Sequence, residues 1–299
     1  MSHSTRRDFL AATLGAATLS RLNAVPQAAA KPAKRLASDW VTLGKSNVKV
    51  TRLALGTGTF GGRIQRDLGQ EGFTRLVRHA YDRGIRFFET ADTYGSMHQM
   101  LGVALKGLPR ESYTLMTKHH TPSPGDPTAA IDRFRRELQT EYIDILLMHC
   151  LRVPTWEQDF REMQDGFSEA KHKKVILSHG ASVHGLQPLR TIPGNQWLEL
   201  MLMRMNHNGT RMDTPEQGEP NKPGDVGEVV SHAKKIHAQG MGVIGMKLCG
   251  EGRFTQAEDR EAAMKHVMNL GCVDAVTIGF KSAAEIDEAI DRMNRVMNA

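Results

Sequence analysis

Apolar and polar positions alternate along most of the chain in a pattern that predicts strands and helices in turn. Short apolar runs predict eight strands, at 53–60, 85–89, 113–117, 143–148, 174–180, 198–205, 242–246 and 273–278. A segment with helical spacing of apolar residues follows each run, at 71–83, 96–106, 127–140, 158–171, 185–191, 226–239, 256–269 and 282–297. Eight strand–helix units in one chain predict a parallel (β/α)8 barrel, also called a TIM barrel, with the helices outside.

Two segments fall outside the repeating units. Val41 to Val50 places turn residues between two extended stretches and predicts a β-hairpin that closes the amino-terminal end of the barrel. Asn206 to Asp225 follows the sixth strand and is rich in Pro, Gly and Asn. A loop of this length in a compact domain is usually functional or mobile. We therefore expect either a lid that contacts substrate or a flexible insertion, and the sequence favours neither.

The first thirty residues differ in character from the rest. Arg6 and Arg7 precede a weakly apolar stretch that is too short and interrupted to remain in a bilayer as a helix, and three alanines at 28–30 suit a signal peptidase. The pattern resembles a twin-arginine export signal, which implies the export machinery as a partner and a periplasmic or secreted mature protein. A disordered basic N-terminus is the alternative. We assign 1–30 to the signal, 31–40 to a linker and 41–299 to the barrel.

Composition and charge narrow the class of protein. The 299 residues are 24% charged and 40% hydrophobic with a formal net charge of +6, which is ordinary for a globular protein. The basic residues form no run interleaved with aromatic residues, so no nucleic-acid surface is predicted. Cys150, Cys249 and Cys272 are widely separated. Their spacing argues against a disulfide framework, a zinc ribbon or a cysteine-ligated iron–sulfur cluster.

Polar side chains with complementary proton chemistry follow three successive predicted strands. Glu89 and Tyr94 follow the second strand, Lys118 the third and His149 the fourth. In a parallel barrel these strand ends share the face where active sites lie. A nearby ammonium lowers the pKa of a tyrosine, a carboxylate holds that ammonium in place, and an imidazole can hydrogen-bond a carbonyl oxygen. The set suits protonation of an alkoxide while hydride reaches a carbonyl carbon.

Three separated motifs resemble those of the aldo-keto reductase family, and the likeness runs from about Val41 to the C-terminus. Segment 84–95 is similar to the family's GxRxxDTAxxYG signature, with Glu89 in place of aspartate. Segment 117–118 is similar to its lysine strand and segment 142–149 to the strand that ends in the active-site histidine. Segment 43–61 is similar to its opening hairpin and first strand.

The resemblance implies reduction of a small aldehyde or ketone by NADPH, or oxidation of the alcohol. Tyr94 would be the general acid, Lys118 would lower its pKa, and His149 would orient the carbonyl. Glu89 would replace the aspartate that pairs with the lysine. Its added methylene moves the carboxylate by ~1.5 Å, and displacements of that size are costly in active sites.

The same resemblance implies an NADP(H) site in the loops after several strands. The implied contacts are Gly58, Thr59 and Phe60, Ser182 for the carboxamide, Lys247, Gly250 and Gly252, and Lys281 and Ser282 for the phosphate and ribose. Several family positions differ, because Val183 replaces an asparagine, Leu202 a glutamine and Met205 the tyrosine that stacks on the nicotinamide. Glu285 and Asp287 occupy the region where an arginine is usual, so NADP is preferred over NAD only modestly.

Two other classes of function stay open. A metal-dependent barrel hydrolase would use several of the histidines at the predicted active face, which are His119, His120, His149, His179, His184 and His207. The first strand lacks a His-x-His pair and no carboxylate ends the last strand, so no metal ligands are predicted; Cys150 fits a buried small residue better than a nucleophile. A relative that binds a nucleotide or a partner without turnover is the second alternative, suggested by Glu89 and the altered cofactor positions.

Overall fold

The computed structural model describes residues 33–121, 125–214 and 222–299. The predicted export signal, residues 1–30, lies outside them, and so does the middle of the long loop between 206 and 225. Within the described residues, no helix combines the length and the apolar character that crossing a bilayer requires.

A short antiparallel hairpin precedes the barrel, formed by β1 (Trp40–Thr42) and β2 (Lys49–Thr51). Leu43 and Val50 of this hairpin are buried in the same apolar cluster as the barrel interior. At the turn, Gly44 has a φ of 46° and lies against the chain near Gly240, whose carbonyl oxygen would be 2.3 Å from a β-carbon at position 44. Glycine satisfies both constraints. The predicted hairpin is confirmed, and it fills the amino-terminal end of the barrel.

Eight parallel strands form the barrel. They are β3 (Leu53–Gly56), β4 (Phe87–Glu89), β5 (Thr114–His120), β6 (Ile143–Leu151), β7 (Ile176–Val183), β8 (Leu200–Arg204), β9 (Gly242–Met246) and β10 (Ala275–Gly279). Each strand pairs with the next along the chain, and β10 pairs with β3 to close the ring. This confirms the predicted (β/α)8 barrel.

The helices surround the barrel. They are α1 (Arg63–Arg66), α2 (Gly69–Asp82), α3 (Met97–Leu105), α4 (Pro127–Leu138), α5 (Trp156–Asp159), α6 (Arg161–His172), α7 (Leu186–Arg190), α8 (Val226–Ala238), α9 (Ala257–Met268) and α10 (Ala283–Met297). Short 3-10 turns lie at Arg110–Ser112 and Gly250–Gly252. Side-chain caps start α4 and α8, where Asp126 and Asp225 accept hydrogen bonds of 2.8 Å from backbone N–H groups of the first turn.

Two apolar layers follow from the alternation of side chains along each strand. Phe87, Leu147 and Leu202 point into the barrel, where they form one buried cluster. Their neighbours Phe88 and Leu146 point outward and pack in a second cluster with the apolar faces of the helices. Because both faces of the sheet are covered, the strands read as continuous apolar runs.

Some element boundaries differ from the prediction. The first barrel strand ends at Gly56 instead of 60, because residues 57–62 form turns in which the Gly61 N–H donates to the Gly58 carbonyl at 3.0 Å. In contrast, β5, β6 and β7 continue past their predicted ends into polar residues, since backbone pairing does not depend on side-chain polarity. The active face is therefore bordered by histidines that lie within strands.

The chain just before β1 lies along the last helix. The Arg35 N–H donates to Asn298 Oδ1 at 2.9 Å, and the Ala37 N–H donates to Asn294 Oδ1 at 2.7 Å. Ala37 is fully buried. The described start of the chain is thus hydrogen-bonded to α10.

Candidate active site

The carboxyl ends of β4, β5 and β6 bring the four predicted catalytic residues together. Glu89 is the last residue of β4, Tyr94 lies in the following loop, Lys118 lies in β5 and His149 in β6. The Lys118 ammonium lies 4.9 Å from the centre of the Tyr94 ring. The centres of the Tyr94 and His149 rings are 5.7 Å apart. The sequence motifs therefore converge on one place in the folded chain.

A buried ion pair lies beneath this group. Lys118 Nζ donates to Glu89 Oε1 and, at 2.6 Å, to the Thr90 carbonyl. The second oxygen of the Glu89 carboxylate accepts a hydrogen bond of 3.1 Å from the Thr277 hydroxyl on β10. Both charged side chains are almost wholly removed from solvent. Each therefore depends on the other for compensation of its charge.

The barrel makes room for glutamate where the family has aspartate. A β-carbon at position 56 would lie 2.5 Å from the Thr277 hydroxyl and 2.8 Å from Glu89 Oε2. Gly56, at the end of β3, therefore leaves the space that the longer carboxylate and its threonine partner fill. The fold therefore accommodates the extra methylene of Glu89, because Gly56 leaves space for the carboxylate and Thr277 donates a hydrogen bond to it.

Tyr94 packs on the glycine-rich turn after β3. A β-carbon at Gly58 would lie 2.6 Å from the Tyr94 hydroxyl oxygen, so the tyrosine needs glycine there. Burial, followed by the negative charge of Glu89, raises the pKa of Tyr94 well above its ordinary value. This direction differs from the expectation that Lys118 lowers it, because the charge of Lys118 is already compensated by Glu89. Tyr94 is accordingly held as a neutral phenol that can donate a proton.

His149 is a neutral imidazole. Burial, reinforced by the positive charge of Lys118, holds its pKa well below the ordinary value. Its Nδ1 lies 3.3 Å from the Thr93 hydroxyl. A neutral ring has one N–H to donate, and it can offer this to an oxygen beside Tyr94.

A cleft of about 510 Å³ extends from this group toward α9 and α10. Glu89 and Tyr94 line one end of it. Six of the nine residues implied as cofactor contacts also line it, and they are Gly58, Thr59, Phe60, Lys247, Gly252 and Lys281. The cleft therefore joins the proton-donating group to the region where the resemblance implies a nucleotide.

The other three implied cofactor residues have structural contacts. Ser182 is buried, and its hydroxyl accepts a hydrogen bond of 3.0 Å from the Cys150 N–H. Ser282 caps α10 by accepting from the Glu285 N–H at 3.3 Å. Gly250 is buried, and a β-carbon there would lie 3.0 Å from the Thr210 side chain.

Comparison with known proteins decides the family. The model of the aldo/keto reductase family matches residues 52–296 of this sequence. The chain belongs to the aldo/keto reductase family. The match covers the whole barrel, including all four predicted catalytic residues and the cleft beside them.

Several curated proteins are similar to this chain. Probable aldo-keto reductase 1 of Glycine max is 29% identical over 172 residues, which are 51% of this chain and 49% of that protein. Versiconal hemiacetal acetate reductase of Aspergillus parasiticus is 27% identical over 203 residues, which are 57% and 59% of the two chains. The chain thus spans less than two thirds of the length of these curated relatives.

Solved structures of aldo-keto reductases share the fold. A putative aldo-keto reductase from Pseudomonas aeruginosa aligns with a TM-score of 0.70 at 19% identity, over 88% of this chain and 98% of that one. An aldo-keto reductase from Bacillus halodurans, solved in its holo form, aligns with a TM-score of 0.67 at 19% identity, over 88% and 96%. At this identity the likeness supports the barrel architecture alone.

Sequence reasoning missed several residues that line the cleft of this aldo/keto reductase. Met246, the last residue of β9, lines the cleft, whereas Met205, expected at the nicotinamide-stacking position, is buried away from it. Glu251 and Arg260 also line the cleft. Met246 could have been found from the rule that strand ends face the site, but the charged residues lie in a turn and a helix whose orientation only the fold reveals.

The cations along the cleft are each paired with a carboxylate. Lys247 Nζ lies 2.6 Å from Glu251 Oε1, and Lys281 Nζ lies 3.7 Å from Glu285 Oε1. Arg260 lies 2.9 Å from the Glu288 carboxylate. This end of the cleft carries charges of both signs. It suits an anionic ligand that can replace the carboxylates as partner of these cations.

The histidines considered for a hydrolase are mostly engaged elsewhere. His119 Nδ1 lies 3.4 Å from Asp92 Oδ2, and the His179 ring stacks on Trp197 with centres 4.3 Å apart. His207 lies beside Phe254. His149 and His184 do lie together, with ring centres 6.1 Å apart. Most of these histidines therefore do not converge on a hydrolytic metal centre.

Proposed function

We propose that this protein reduces the carbonyl group of a small aldehyde or ketone, or oxidises the matching alcohol, with NADP(H) as the cofactor. The single observation that supports this most is the phenol of Tyr94, which lies at the cleft beside a neutral imidazole and above a buried ion pair. When bound in the cleft, the reduced nicotinamide supplies hydride to the carbonyl carbon.

Each side chain of the group has a role that follows from its contacts. Tyr94 donates its hydroxyl proton to the carbonyl oxygen as negative charge develops there. His149 donates a hydrogen bond to the same oxygen and so orients the carbonyl. Lys118, fixed by Glu89 and the Thr90 carbonyl, provides a nearby cation. Because burial raises the pKa of Tyr94, the phenol keeps its proton until negative charge develops on the carbonyl oxygen.

The residues of the cleft fit a dinucleotide. Gly58 lets the Tyr94 side chain lie against the glycine-rich turn at the cleft, where a β-carbon would displace it. At the far end, Lys281 is exposed on the cleft and Arg260 lies nearby, so two cations are available to phosphate groups. Discrimination between NADPH and NADH then rests on Lys281 exchanging Glu285 for the 2′-phosphate.

The Tyr94→Phe variant tests the proposed chemistry. Phenylalanine keeps the ring but removes the proton, so reduction of a panel of small aldehydes and ketones with NADPH should fall by ~100-fold or more. Cofactor affinity, followed by quenching of protein fluorescence, should stay unchanged and serves as the internal control. Turnover equal to that of the wild type would refute the proposal.

The Lys281→Met variant tests the cofactor. The affinity for NADPH should fall while that for NADH stays nearly unchanged, because NADH lacks the 2′-phosphate. Lys265→Met, on the neighbouring helix and not among the residues that line the cleft, is the matched control for loss of a lysine charge. Equal losses for both cofactors would show that Lys281 does not read the 2′-phosphate.

A protein that binds the nucleotide without turnover is the second candidate. The observation that favours it is the change at three cofactor positions, where Val183, Leu202 and Met205 replace the residues usual in the family. It predicts NADPH binding by the wild-type protein without reduction of any carbonyl in the panel.

We also propose that residues 1–30 direct export through a twin-arginine route, which would place the mature protein in the periplasm or outside the cell. The support is the sequence pattern around Arg6 and Arg7. Such a route carries folded proteins, so the cofactor would be bound before export.

A further inference from the structure

Three side chains with metal-binding atoms meet at the carboxyl ends of β6 and β7. They are His149, Cys150 and His184, and one ligand atom from each lies within 4.8 Å of the others. The Cys150 sulfur is 3.4 Å from both ring nitrogens of His184. His149 and Cys150 are buried, whereas His184 is half-buried. Residue spacing does not reveal this group, because His184 lies far from the other two along the chain.

An irregularity in β6 turns two adjacent side chains to the same side. Neighbouring residues in a regular strand point to opposite faces. Here the pairing of β6 with β7 shifts register between Met148 and Leu151, and Cys150 has a φ of 63°, in the left-handed region. The strand is held in this shape because the Cys150 N–H donates to the Ser182 hydroxyl at 3.0 Å. Beside it, the His184 N–H donates to the Leu151 carbonyl at 2.8 Å.

We propose that His149, Cys150 and His184 form a binding site for a soft transition-metal ion, and that this ion is Cu(I). A thiolate with two imidazoles is a ligand set of this class. Metal–sulfur bonds of about 2.3 Å and metal–nitrogen bonds of about 2.0–2.1 Å place sulfur and nitrogen about 3.5–3.8 Å apart around one ion. The observed separation of 3.4 Å between Cys150 and His184 is close to this range, and because the sulfur is equally far from both ring nitrogens, the His184 ring would turn on binding so that one nitrogen points at the ion.

Charge favours a monovalent ion over Zn(II). One thiolate and two neutral imidazoles cancel the charge of Cu(I), whereas a divalent ion would leave one positive charge. The positive charges of Arg152 and Arg204 act on both Cys150 and His184, and that of Lys118 acts on His149. A net positive charge on the metal site is therefore unfavourable. Asp213 compensates Arg204 only in part, at 3.4 Å. On binding, the Cys150 S–H bond breaks, the sulfur–copper bond forms and one proton passes to solvent, with no change in oxidation state.

Occupation of this site has a consequence for the reaction. His149 would bind the metal through one ring nitrogen, and its ring could no longer turn to donate a hydrogen bond to a carbonyl oxygen. Resting on the proposed function, Cu(I) should therefore inhibit carbonyl reduction, and removal of the ion by a chelator should restore it.

Copper transfer from a coloured chelator tests the site without reference to turnover. Reduced full-length protein is titrated under anaerobic conditions into the Cu(I) complex of bathocuproine disulfonate, and loss of colour reports transfer. The wild type should take up one equivalent. Cys150→Ser and His184→Asn should each weaken binding by more than ~100-fold, because loss of a ligand exceeds the 10–100-fold cost of losing a second-shell partner.

Matched variants keep the result interpretable. Cys249→Ser and Cys272→Ser remove thiols outside the group and should bind copper like the wild type. Tyr94→Phe should also bind copper normally, so that failure of the site and failure of the proposed reaction remain distinct. Thermal unfolding of each variant verifies that it is folded. No uptake by the wild type, or normal uptake by Cys150→Ser, would overturn the proposal. Displacement of Cu(I) by equimolar Zn(II) would overturn the choice of ion.

Discussion

The buried ion pair between Lys118 and Glu89 should be costly to break by removing one partner, and Lys118→Met measures that cost. The side chains of Lys118 and Glu89 are 1% and 5% exposed, so neither charge is compensated by water. Methionine fills nearly the same volume as lysine but leaves the Glu89 carboxylate with Thr277 as its hydrogen-bond donor. Removal of one partner from a buried pair costs about 3–5 kcal/mol, because the other charge stays buried. We expect the free energy of unfolding to fall by that amount.

A double-mutant cycle separates the lost pair from lost packing. Glu89→Gln in the Lys118→Met background removes the stranded charge, keeps the shape and still accepts from Thr277. Replacement of both ions by neutral groups is often close to neutral for stability. The double variant should therefore recover about 2 kcal/mol or more relative to Lys118→Met alone, which is the size of coupling found between contacting residues.

Denaturation in guanidinium chloride gives the free energy of unfolding of the wild type, Lys118→Met, Glu89→Gln and the double variant. The slope of the transition should be the same for all four proteins. Lys173→Met is the matched control, since Lys173 pairs with Glu169 at 3.0 Å while both side chains are more than half exposed. Its cost should stay between 0 and about 1 kcal/mol. The reasoning is refuted if Lys118→Met costs no more than this control, or if the double variant loses the sum of the two single losses.

Three further predictions concern other parts of the chain. Gly58→Ala should reduce turnover by ~100-fold, because its β-carbon would lie 2.6 Å from the Tyr94 hydroxyl oxygen. Gly227→Ala is the control and should be fully active, because a β-carbon there meets nothing closer than 3.4 Å. Equal activity of the two variants would contradict the argument. Burial raises the pKa of Asp213 from 3.8 to about 6, so its ionisation destabilises the fold by up to about 3 kcal/mol above that pH and by nothing below its unfolded value. Asp213→Asn should thus match the wild type in stability near pH ~4 and exceed it near pH ~7.5, and a difference independent of pH would exclude this origin. Replacement of Arg6 and Arg7 by lysine should retain the precursor inside the cell, as immunoblots of cell fractions would show; normal processing would mean that the signal is misread.

The parts of the molecule that sequence reasoning predicted are those governed by local pattern. Apolar runs predicted the barrel strands, and the rule that strand ends share one face predicted that Glu89, Lys118 and His149 lie close together. The same rule predicts Tyr94 because it follows its strand by only a few residues. These inferences need periodicity and topology, both of which are written in the sequence.

What escaped prediction depends on register and on contacts across the fold. The space for Glu89 comes from Gly56 and Thr277, which lie on different strands near opposite ends of the chain. The orientation of Cys150 comes from an irregularity that breaks the alternation on which sequence reasoning relies. Met246 was overlooked because the resemblance directed attention to Met205 after β8, which is buried and does not line the cleft.

The closure of the barrel between β10 and β3 also sets an order of events during synthesis. Thr277 reaches Glu89 across this seam, and the Gln65 side chain donates to the Phe280 carbonyl at 2.9 Å. Such contacts between distant parts of a chain form late, because the intervening segment must first be produced and ordered. Thr277 lies on the last strand, so the Glu89 carboxylate gains its threonine partner only when β10 joins β3. The group around Tyr94 is therefore complete only when the two edges of the sheet meet.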